Sequence, residues 1–552
     1  MRKILIIVLV LICISGGLFL YLYYNKLRDF EPLIKQRLSK LVTDGSGGLY
    51  HLDIERLETD VIRSKIKLVN ARLRPDTLVY AQMEKDHKAP NDLFDVSISL
   101  LSVDDIVPAD FIANKVINLG TLYINNPVVK ILHKKQPYNQ PARDSVPSVY
   151  ELIQKDIRSI KVDTIVLQNV DLIYTNRNQK NKETRLMNVK LFFKDILVDS
   201  STQYDRQRFL YARNCLINLK DYSLNTSDSL YRFSVGELDI LATEKRIRLK
   251  ALTFRPRLSV KNFYQRVKHQ QDRFELLIEE MHFTEVDWWS MLAEESFLTR
   301  KITMKNGKVK VFNDKSQPPD TRSKVGKYPH QLLMKLPFTI NLDSLLIQNL
   351  DLSYSELNPK SGQTGSLYFD NIHGLITNLT NSPEAIRQKP FCKINARAQF
   401  MKQAPLTAAF TLNLAESKNG SFGVEASLGS LQSEALNKIT IPLALVKVNS
   451  LQINKMEVSI RGHNRAASGK VKLLYNDLQI TALKVSGDTL KKRGLLSFVA
   501  NRFILKKDNP GYNQPARVHH AAFQRDTHKS FFNLIWKTIF TGAKKTVGYD
   551  KK

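Results

Sequence analysis

The sequence predicts a mainly β protein with a few helices, in which an N-terminal transmembrane helix precedes an elongated, curved antiparallel β-sheet. Three observations predict this fold class: an uncharged N-terminal run, apolar residues that recur with the period of a strand, and an internal repeat of about 180 residues. Repeats of this length are typical of stacked supersecondary units that share one continuous core.

The N-terminal run, ILIIVLVLICISGGLFLYLYY, covers residues 4–24. As a helix it would be roughly 31 Å long, which matches a bilayer core of about 30 Å. Tyr21, Tyr23 and Tyr24 lie where an interfacial aromatic belt belongs. A cleaved signal peptide is the alternative, but its apolar region is usually shorter and no A-x-A site follows. We therefore predict an uncleaved anchor with the large remainder of the chain exported.

The strand pattern is clearest in Ile160–Tyr174, IKVDTIVLQNVDLIY, and it returns 180 residues later in Ile340–Tyr354, INLDSLLIQNLDLSY. Its apolar residues are separated mostly by steps of two, which is the period of a strand. Looser copies cover Ile117–Ile131, Phe297–Val311 and Val446–Ile460. Each copy is therefore predicted to be a bent strand pair that keeps one apolar face.

Two steps of three interrupt this alternation, and each requires an extra residue to be absorbed in a bulge or a tight turn. Asn169 lies at the second such step, and Asn126, Asn306 and Asn349 take the same place in other copies. Asn tolerates the left-handed backbone conformation that such a step often needs. We therefore predict matching bends at Asn169 and Asn349.

The repeat extends beyond the strand motif and divides the chain into tandem units. The predicted domains are an anchor (1–25), a β-rich unit 1 (26–225), a β-rich unit 2 (226–385), a partial third unit (386–505) and a basic tail with an amphipathic helix (506–552). In the tail, Phe532, Ile535, Trp536 and Ile539 share one helical face, with lysines around the others. Such a helix either binds a membrane interface or caps the end of a sheet, and the sequence leaves both interpretations open.

The composition and the motifs of the sequence limit which classes of partner and of chemical reaction we predict. A formal net charge of +30 indicates an anionic partner, either nucleic acid or an anionic membrane surface, and the anchor favours the membrane. Cys13, Cys215 and Cys392 have no metal-site spacing; for Cys215 and Cys392 we favour two free buried thiols over a single bridge. No nucleotide-binding loop, catalytic serine motif or metalloprotease motif occurs, so we predict neither an enzyme nor a cofactor or metal site.

The anchor, the strand motif and several late segments together are similar to the AsmA-like family of bacterial envelope proteins. These segments are Ile117–Ile131, Phe422–Leu431, Leu436–Leu443 and Ser468–Leu478. The resemblance implies a single-pass inner-membrane protein with its body in the periplasm. Relatives in the wider group, the TamB-like and bridge-like proteins, carry lipid on the apolar concave face of a long curved sheet. This chain is short for a bridge across the whole periplasm, so a shuttle or a partial bridge is the expectation.

An apolar groove in a repeated sheet would also suit lipid on physical grounds. Exposing an acyl chain of about 16 carbons to water costs roughly 12 kcal/mol, at about 0.8 kcal/mol per CH₂. We predict phospholipid transport or outer-membrane biogenesis, with phospholipid, the inner membrane and the outer membrane or its proteins as partners. The predicted groove residues are Ile124, Ile165, Leu167, Leu172, Leu345, Ile347, Leu352, Ile453 and Val458. A closed β-sandwich that serves as a scaffold for outer-membrane proteins is the alternative.

Overall fold

The computed structural model describes residues 31–549, except 61–62, 140–149, 152–153, 155–156, 180–181, 204, 206, 294–295, 487–488 and 500–504. The predicted anchor at residues 4–24 lies outside this range. Among the described residues, no helix has both the length and the apolar character needed to cross a membrane.

The described chain is mainly β, as the sequence predicts, and it forms two compact units. Unit 1 comprises the described residues up to Leu224 together with Val235–Arg248, and unit 2 comprises Asn225–Ser234 with the described residues from Leu249 onward. The boundary predicted at 225/226 lies next to Leu224, the last residue of the first chain segment of unit 1. The predicted third unit and tail belong to the same compact unit as the second repeat.

Unit 1 has a sheet whose strands pair mainly with their neighbours in the chain. Strands β1, β2 and β3 are antiparallel, β3 pairs with both β4 and β5, and β6, β7 and β8 are antiparallel. The elements are α1 Glu31–Gly45, β1 Tyr50–Asp60, β2 Lys65–Pro75, α2 Thr77–Lys85, β3 Asp92–Val103, α3 Pro108–Asn114, β4 Val116–Asn125, β5 Val128–His133, β6 Ser159–Asn176, a 3-10 turn Arg177–Gln179, β7 Lys182–Val198 and β8 Ala212–Asn225. Strands β9 Tyr231–Leu241 and β10 Arg246–Pro256 contribute residues to both units.

Unit 2 has a longer sheet with helices between some of its strands. From β13 onward the strands are antiparallel in the order β13, β14, β15, β16, β17, β19, β20 and β22. The elements are α4 Val260–Val267, β11 Arg273–Val286, α5 Trp288–Ala293, β12 Ser296–Asp314, α6 Pro329–Leu333, β13 Thr339–Leu357, β14 Thr364–Thr380, α7 Pro383–Gln388, β15 Phe391–Phe400, β16 Ala404–Asn413, β17 Phe422–Leu428, β18 Leu431–Gln432, α8 Ser433–Ala444, β19 Val446–Gly462, β20 Ala466–Ser486, β21 Thr489–Lys492, α9 Gly494–Val499, β22 Val518–Gln524 and α10 Phe531–Thr546.

The sheet is mainly antiparallel, as predicted, but the strand pairing is parallel at one place in each unit. Strands β4 and β5 run parallel to β6, and β12 runs parallel to β13. The motif copies are these adjacent strands, with Ile117 beside Ile160 and Phe297 beside Ile340. Strands that run the same way need a long crossover, here residues 134–158 and 315–338. A periodic apolar pattern specifies which face is buried and carries no information about strand direction.

The motif copies are single bulged strands in β6 and β13, where the sequence predicted strand pairs. The copy at Ile117–Ile131 is split into β4 and β5, because Pro127 has no backbone N–H to continue the ladder. The predicted left-handed bends are confirmed, since φ is +50° at Asn126, +54° at Asn169, +51° at Asn306 and +62° at Asn349. The pairing registers of β6 with β7 and of β13 with β14 shift at the same places.

The bulges are joined across the parallel pairs by the same side-chain contact in both units. Nδ2 of Asn169 donates to Oδ1 of Asn126 at 2.9 Å, and Nδ2 of Asn349 donates to Oδ1 of Asn306 at 2.9 Å. On the next strand, the backbone N–H of Asn371 donates to Oδ1 of Asp351 at 3.0 Å, as Asn188 does to Asp171 in unit 1. The bulges therefore lie in line across adjacent strands, where each one adds bend and twist.

Both described cysteines are free and buried, as the sequence favoured. Burial raises the pKa of the Cys215 thiol to about 12 and that of the Cys392 thiol to about 11. Because the thiolate is the nucleophile, these two side chains act as core residues and not as reactive groups.

His330 in α6 is buried, with 1% of its surface exposed, and its ring nitrogens have no hydrogen-bond partner among the described residues. Burial lowers the pKa of His330 to about 4, because the imidazolium would lose its hydration. The unfolded chain keeps a histidine pKa of about 6.5. Between these two values the unfolded chain binds one more proton, so the free energy of unfolding falls as the pH is lowered.

Substituting His330→Leu should therefore reduce the loss of stability on acidification. Between pH 7 and pH 4.5, we expect wild type to lose about 2 kcal/mol more unfolding free energy than the variant. Urea unfolding at both pH values measures this difference, with the exposed His528→Leu as the control. An identical pH dependence in wild type and His330→Leu would contradict the assignment.

A second prediction concerns the positive φ at Asn349. Substituting Asn349→Val should destabilise unit 2 by about 1–3 kcal/mol, because a β-branched residue is strained in the left-handed region. Asn349→Gly should cost less, about 1 kcal/mol, because glycine adopts this φ and only the hydrogen bond to Asn306 is lost. Urea unfolding of both variants tests this order. Equal destabilisation by Val and Gly would show that the backbone conformation is not the requirement.

Candidate functional site

The strand registers of unit 2 bring apolar residues side by side into a continuous row. Each residue of the row lies directly opposite the next on the neighbouring strand, from β11 to β22. The row comprises Phe283, Ile302, Leu345, Ile376, Ile394, Phe410, Val424, Ile460 and, beyond Gly469, Ala521. Because paired residues project from the same side of a sheet, these side chains share one face.

A second row on the same face has small residues at its centre. It comprises Met281, Met304, Ile347, Gly374, Ala396, Ala408, Ala426, Val458 and Val471. We call its four central residues, one from each of β14 to β17, the small-residue strip: Gly374, Ala396, Ala408 and Ala426. Larger side chains border it: Ile394 and Phe410 on one side, and Phe400 and Leu406 on the other. The strip is therefore the floor of a shallow apolar trough that runs across the strands.

Helices cover two parts of this face. Helix α10 packs on β19, β20 and β22, where Gly542 allows a close approach, since a Cβ there would lie 2.6 Å from Cβ of Val471. Val471, Ile460 and Val424 are 0%, 1% and 3% exposed. Helix α8 packs on β13, β14 and β19 and joins a second core cluster. These covered residues are an ordinary closed core.

The middle of the face is less covered. Ile376 on β14, Ile394 on β15, and Ala408 and Phe410 on β16 are all half-buried. Ile394 and Phe410 pack at the margin of the core cluster beneath α10, and Phe400 and Leu406 pack at the margin of the cluster beneath α8. The small-residue strip thus lies between two closed clusters and is itself partly open.

The opposite side of the same strands is polar and charged. Along β15 the residues that alternate with the apolar ones, Lys393, Asn395 and Arg397, are exposed. A concavity of about 960 Å³ is lined largely by residues of this polar face. Within it, Glu457 contacts Lys455 at 2.6 Å and Lys472 at 3.4 Å, and these lysines hold the pKa of the Glu457 carboxyl below its usual range. The Glu457 carboxylate is thus paired with two lysines, and the sequence signal of this concavity is only the alternation of polar residues along each strand.

The predicted groove residues of unit 1 lie in its closed interior. Ile124, Ile165 and Leu167 are 1%, 2% and 4% exposed, while Leu172 is half-buried. Ile124 pairs with Leu167 across β4 and β6, so two residues that hold the same place in two motif copies lie beside one another. In unit 1 these side chains are packed as a protein core.

The predicted groove residues of unit 2 divide between open and closed surroundings. Leu345, Ile347 and Leu352 on β13 are half-buried and lie on the apolar face. Ile453 and Val458 on β19 are 7% and 5% exposed and belong to the two core clusters. The structure therefore brings Leu345, Ile347 and Val458 into the two rows.

The tail helix α10 does not have the single apolar face that the sequence suggested. Ile535 is 7% exposed in the core cluster, and Ile539 packs against that cluster. Phe532 and Trp536 point outward, with 63% and 47% of their surfaces exposed. The four predicted interface residues are thus split, because the helix buries one stripe on the sheet and leaves another in solvent.

Several residues of the half-open face were missed from the sequence, among them Ile376, Ile394, Phe410 and the alanines of the strip. The strands β15 and β16 do not match the motif, so the repeat alignment did not reach them. Their own alternation, as in AAFTLNL at 408–414, was the available signal. Within the described part of the chain, no group of His, Cys, Asp and Glu side chains could hold a metal ion.

Comparison of the sequence with protein-family models and with curated proteins gives no match. Function must therefore be argued from the geometry of this face and from the sequence.

Proposed function

We propose that unit 2 binds the acyl chains of phospholipid along its partly open apolar face. The observation that carries the proposal is the small-residue strip, bordered by Ile394 and Phe410 on one side and by Phe400 and Leu406 on the other. A row of apolar residues that is left partly open is typical of a binding site.

The dimensions of the face suit an acyl chain. The half-open part of the first row runs from Leu345 on β13 to Phe410 on β16 and crosses three inter-strand gaps, so at about 4.8 Å each it is roughly 14 Å long. The hydrocarbon core of a bilayer is about 30 Å thick, so the acyl chains of one leaflet span about 15 Å. One lipid tail could therefore lie across the strands within the half-open part of the row.

The free energy of removing an acyl chain from water favours its binding to this face. Each CH₂ group removed from water contributes about 0.8 kcal/mol, and the half-buried side chains of the strip would lose their own contact with water at the same time. The strip is lined by Gly and Ala, so a chain can approach the sheet closely without displacing large side chains. The charged head group would remain in solvent, where the formal net charge of +30 favours anionic species.

The cellular role follows from the sequence. We propose a single-pass protein of the inner membrane, held by residues 4–24, whose periplasmic body acts in phospholipid transport or outer-membrane biogenesis. The similarity of its segments to the AsmA-like family supports this role, as does the lack of any catalytic motif. The curved groove of that family is the arrangement proposed for unit 2.

A scaffold with a closed β-sandwich core is the second candidate. The deep burial of Ile124, Ile165 and Leu167 favours a closed interior in unit 1. The half-buried Ile394, Ala408 and Phe410 favour lipid binding in unit 2. The two candidates are separated by asking whether lipid or protein occupies the small-residue strip.

Photo-crosslinking in cells is the direct test. A photoreactive amino acid at Ile394 should capture phospholipid, because this side chain borders the strip. The matched control is Asn395, the next residue on β15, which is exposed on the polar face. We expect several times more lipid adduct at position 394, measured by mass spectrometry of the purified protein. Equal capture at both positions, or capture of protein at position 394, would reject lipid binding.

Filling the strip should displace lipid without unfolding the sheet. In Ala408→Trp a large side chain would occupy the floor of the trough, whereas Ala409→Trp places the same volume on the polar face. We expect phospholipid retained in native mass spectrometry to fall at least about tenfold for Ala408→Trp and to stay unchanged for Ala409→Trp. The smaller Ala408→Leu should give an intermediate loss. A folded Ala408→Trp that keeps its lipid would contradict the proposed site.

A further inference from the structure

The outer surface of α10 carries an aromatic stripe that the core does not use. Phe532, Trp536 and Phe540 are spaced by one helical turn and are 63%, 47% and 38% exposed. Trp536 stacks on Phe540 with ring centroids 5.9 Å apart. The inner surface of the same helix is buried through Phe531, Leu534, Ile535, Thr538, Gly542 and Thr546. The stripe is therefore held in a fixed position by the packing beneath it.

The segment around α6 carries a second exposed apolar group, and it is joined to α10 through a shared core cluster. Leu332, Leu336 and Phe338 are 50%, 38% and 42% exposed. Leu333 and Met334 between them pack in the same core cluster as Phe531, Leu534 and Ile535. The ring of Tyr328 lies 4.8 Å from that of Phe531, which fixes this segment against the start of α10. These two groups together are called the α10 patch.

The two chain segments that form the α10 patch are rich in lysine. Residues 324–338 include three lysines and residues 527–549 include four, and neither range has an aspartate or a glutamate. Lys544 Nζ lies 4.6 Å from the ring centre of Phe540 and 5.4 Å from that of Tyr549. Lysines interleaved with Trp, Phe and Tyr are the composition of a membrane-interface surface, where the rings enter the head-group region and the ammonium groups meet lipid phosphates.

We propose that the α10 patch docks unit 2 onto the surface of an anionic phospholipid bilayer. The aromatic residues supply the apolar contact and the seven lysines supply the charge complementarity. A protein partner is disfavoured because interface cores are depleted in lysine. Docking does not depend on acyl binding by the strip. The consequence of docking for lipid transport rests on the proposed function. Because α10 covers the β19–β22 end of the apolar rows, docking would bring that end of the rows to the bilayer.

The test uses the full chain with a fluorescent reporter on the outer surface of α10. Bimane is attached at Asn533→Cys in a Cys13→Ser background, because Cys215 and Cys392 are buried. The protein is held in nanodiscs of neutral phosphatidylcholine, and vesicles with or without phosphatidylglycerol are added. We expect a blue shift of the emission, and quenching by brominated lipid, only with the anionic vesicles. The response should weaken at high salt, because screening reduces the attraction of the lysines.

The combined variant Phe532→Ser, Trp536→Ser, Phe540→Ser should weaken vesicle binding at least about tenfold, since it removes the apolar contact and leaves the lysines. A bimane at Tyr512→Cys, whose parent side chain is 94% exposed, is the matched control and should not respond. No response at Asn533→Cys, an equal response to neutral vesicles, or full binding by the combined variant would each overturn the proposal. Lipid capture at position 394 should persist in the combined variant, so failure of docking and failure of acyl binding are distinguishable.

Discussion

The paired bulges on adjacent parallel strands, each joined by an asparagine–asparagine hydrogen bond, are the constraint that keeps the apolar face of each unit continuous. Asn126 with Asn169 and Asn306 with Asn349 occupy left-handed positions where one extra residue enters the strand. Without that residue, the side chains beyond the bulge would project from the wrong side of the sheet. Because both partners of the parallel pair bulge together, their apolar residues remain side by side through the bend. The apolar face can then continue from one strand to the next.

The two units use this arrangement with different results. In unit 1 the apolar side chains of the motif up to Val170 are almost fully buried, and the interior there is closed in the ordinary way. In unit 2 the face continues through β14, β15 and β16, where Gly374, Ala396 and Ala408 replace larger side chains. Small residues reduce the apolar surface available for packing, so they weaken a core. Their position between two closed clusters is the observation on which the proposed acyl-binding site rests.

Helix α10 shows how one element can serve both packing and binding. Its inner stripe closes the end of the sheet, with Gly542 against Val471, and this packing holds the outer stripe in one orientation. A flexible amphipathic tail would lose conformational freedom when it bound a membrane, whereas a helix already ordered on the sheet would not. Burial of the inner stripe therefore lowers the entropic cost of any contact made by Phe532 and Trp536. The capping and membrane-interface interpretations of this tail are compatible for that reason.

The sequence by itself determined the mainly β class, the repeat of about 180 residues and the left-handed bends at Asn169 and Asn349, because these depend on local periodicity and on backbone preferences of single residues. Only the tertiary structure decided that motif copies pair in parallel, since strand direction depends on the path of the crossover. It also decided which apolar residues are enclosed. Leu167 and Ile347 hold equivalent places in the repeat, yet one is buried and the other half-buried, because exposure is set by what packs above a face and not by the pattern that creates it.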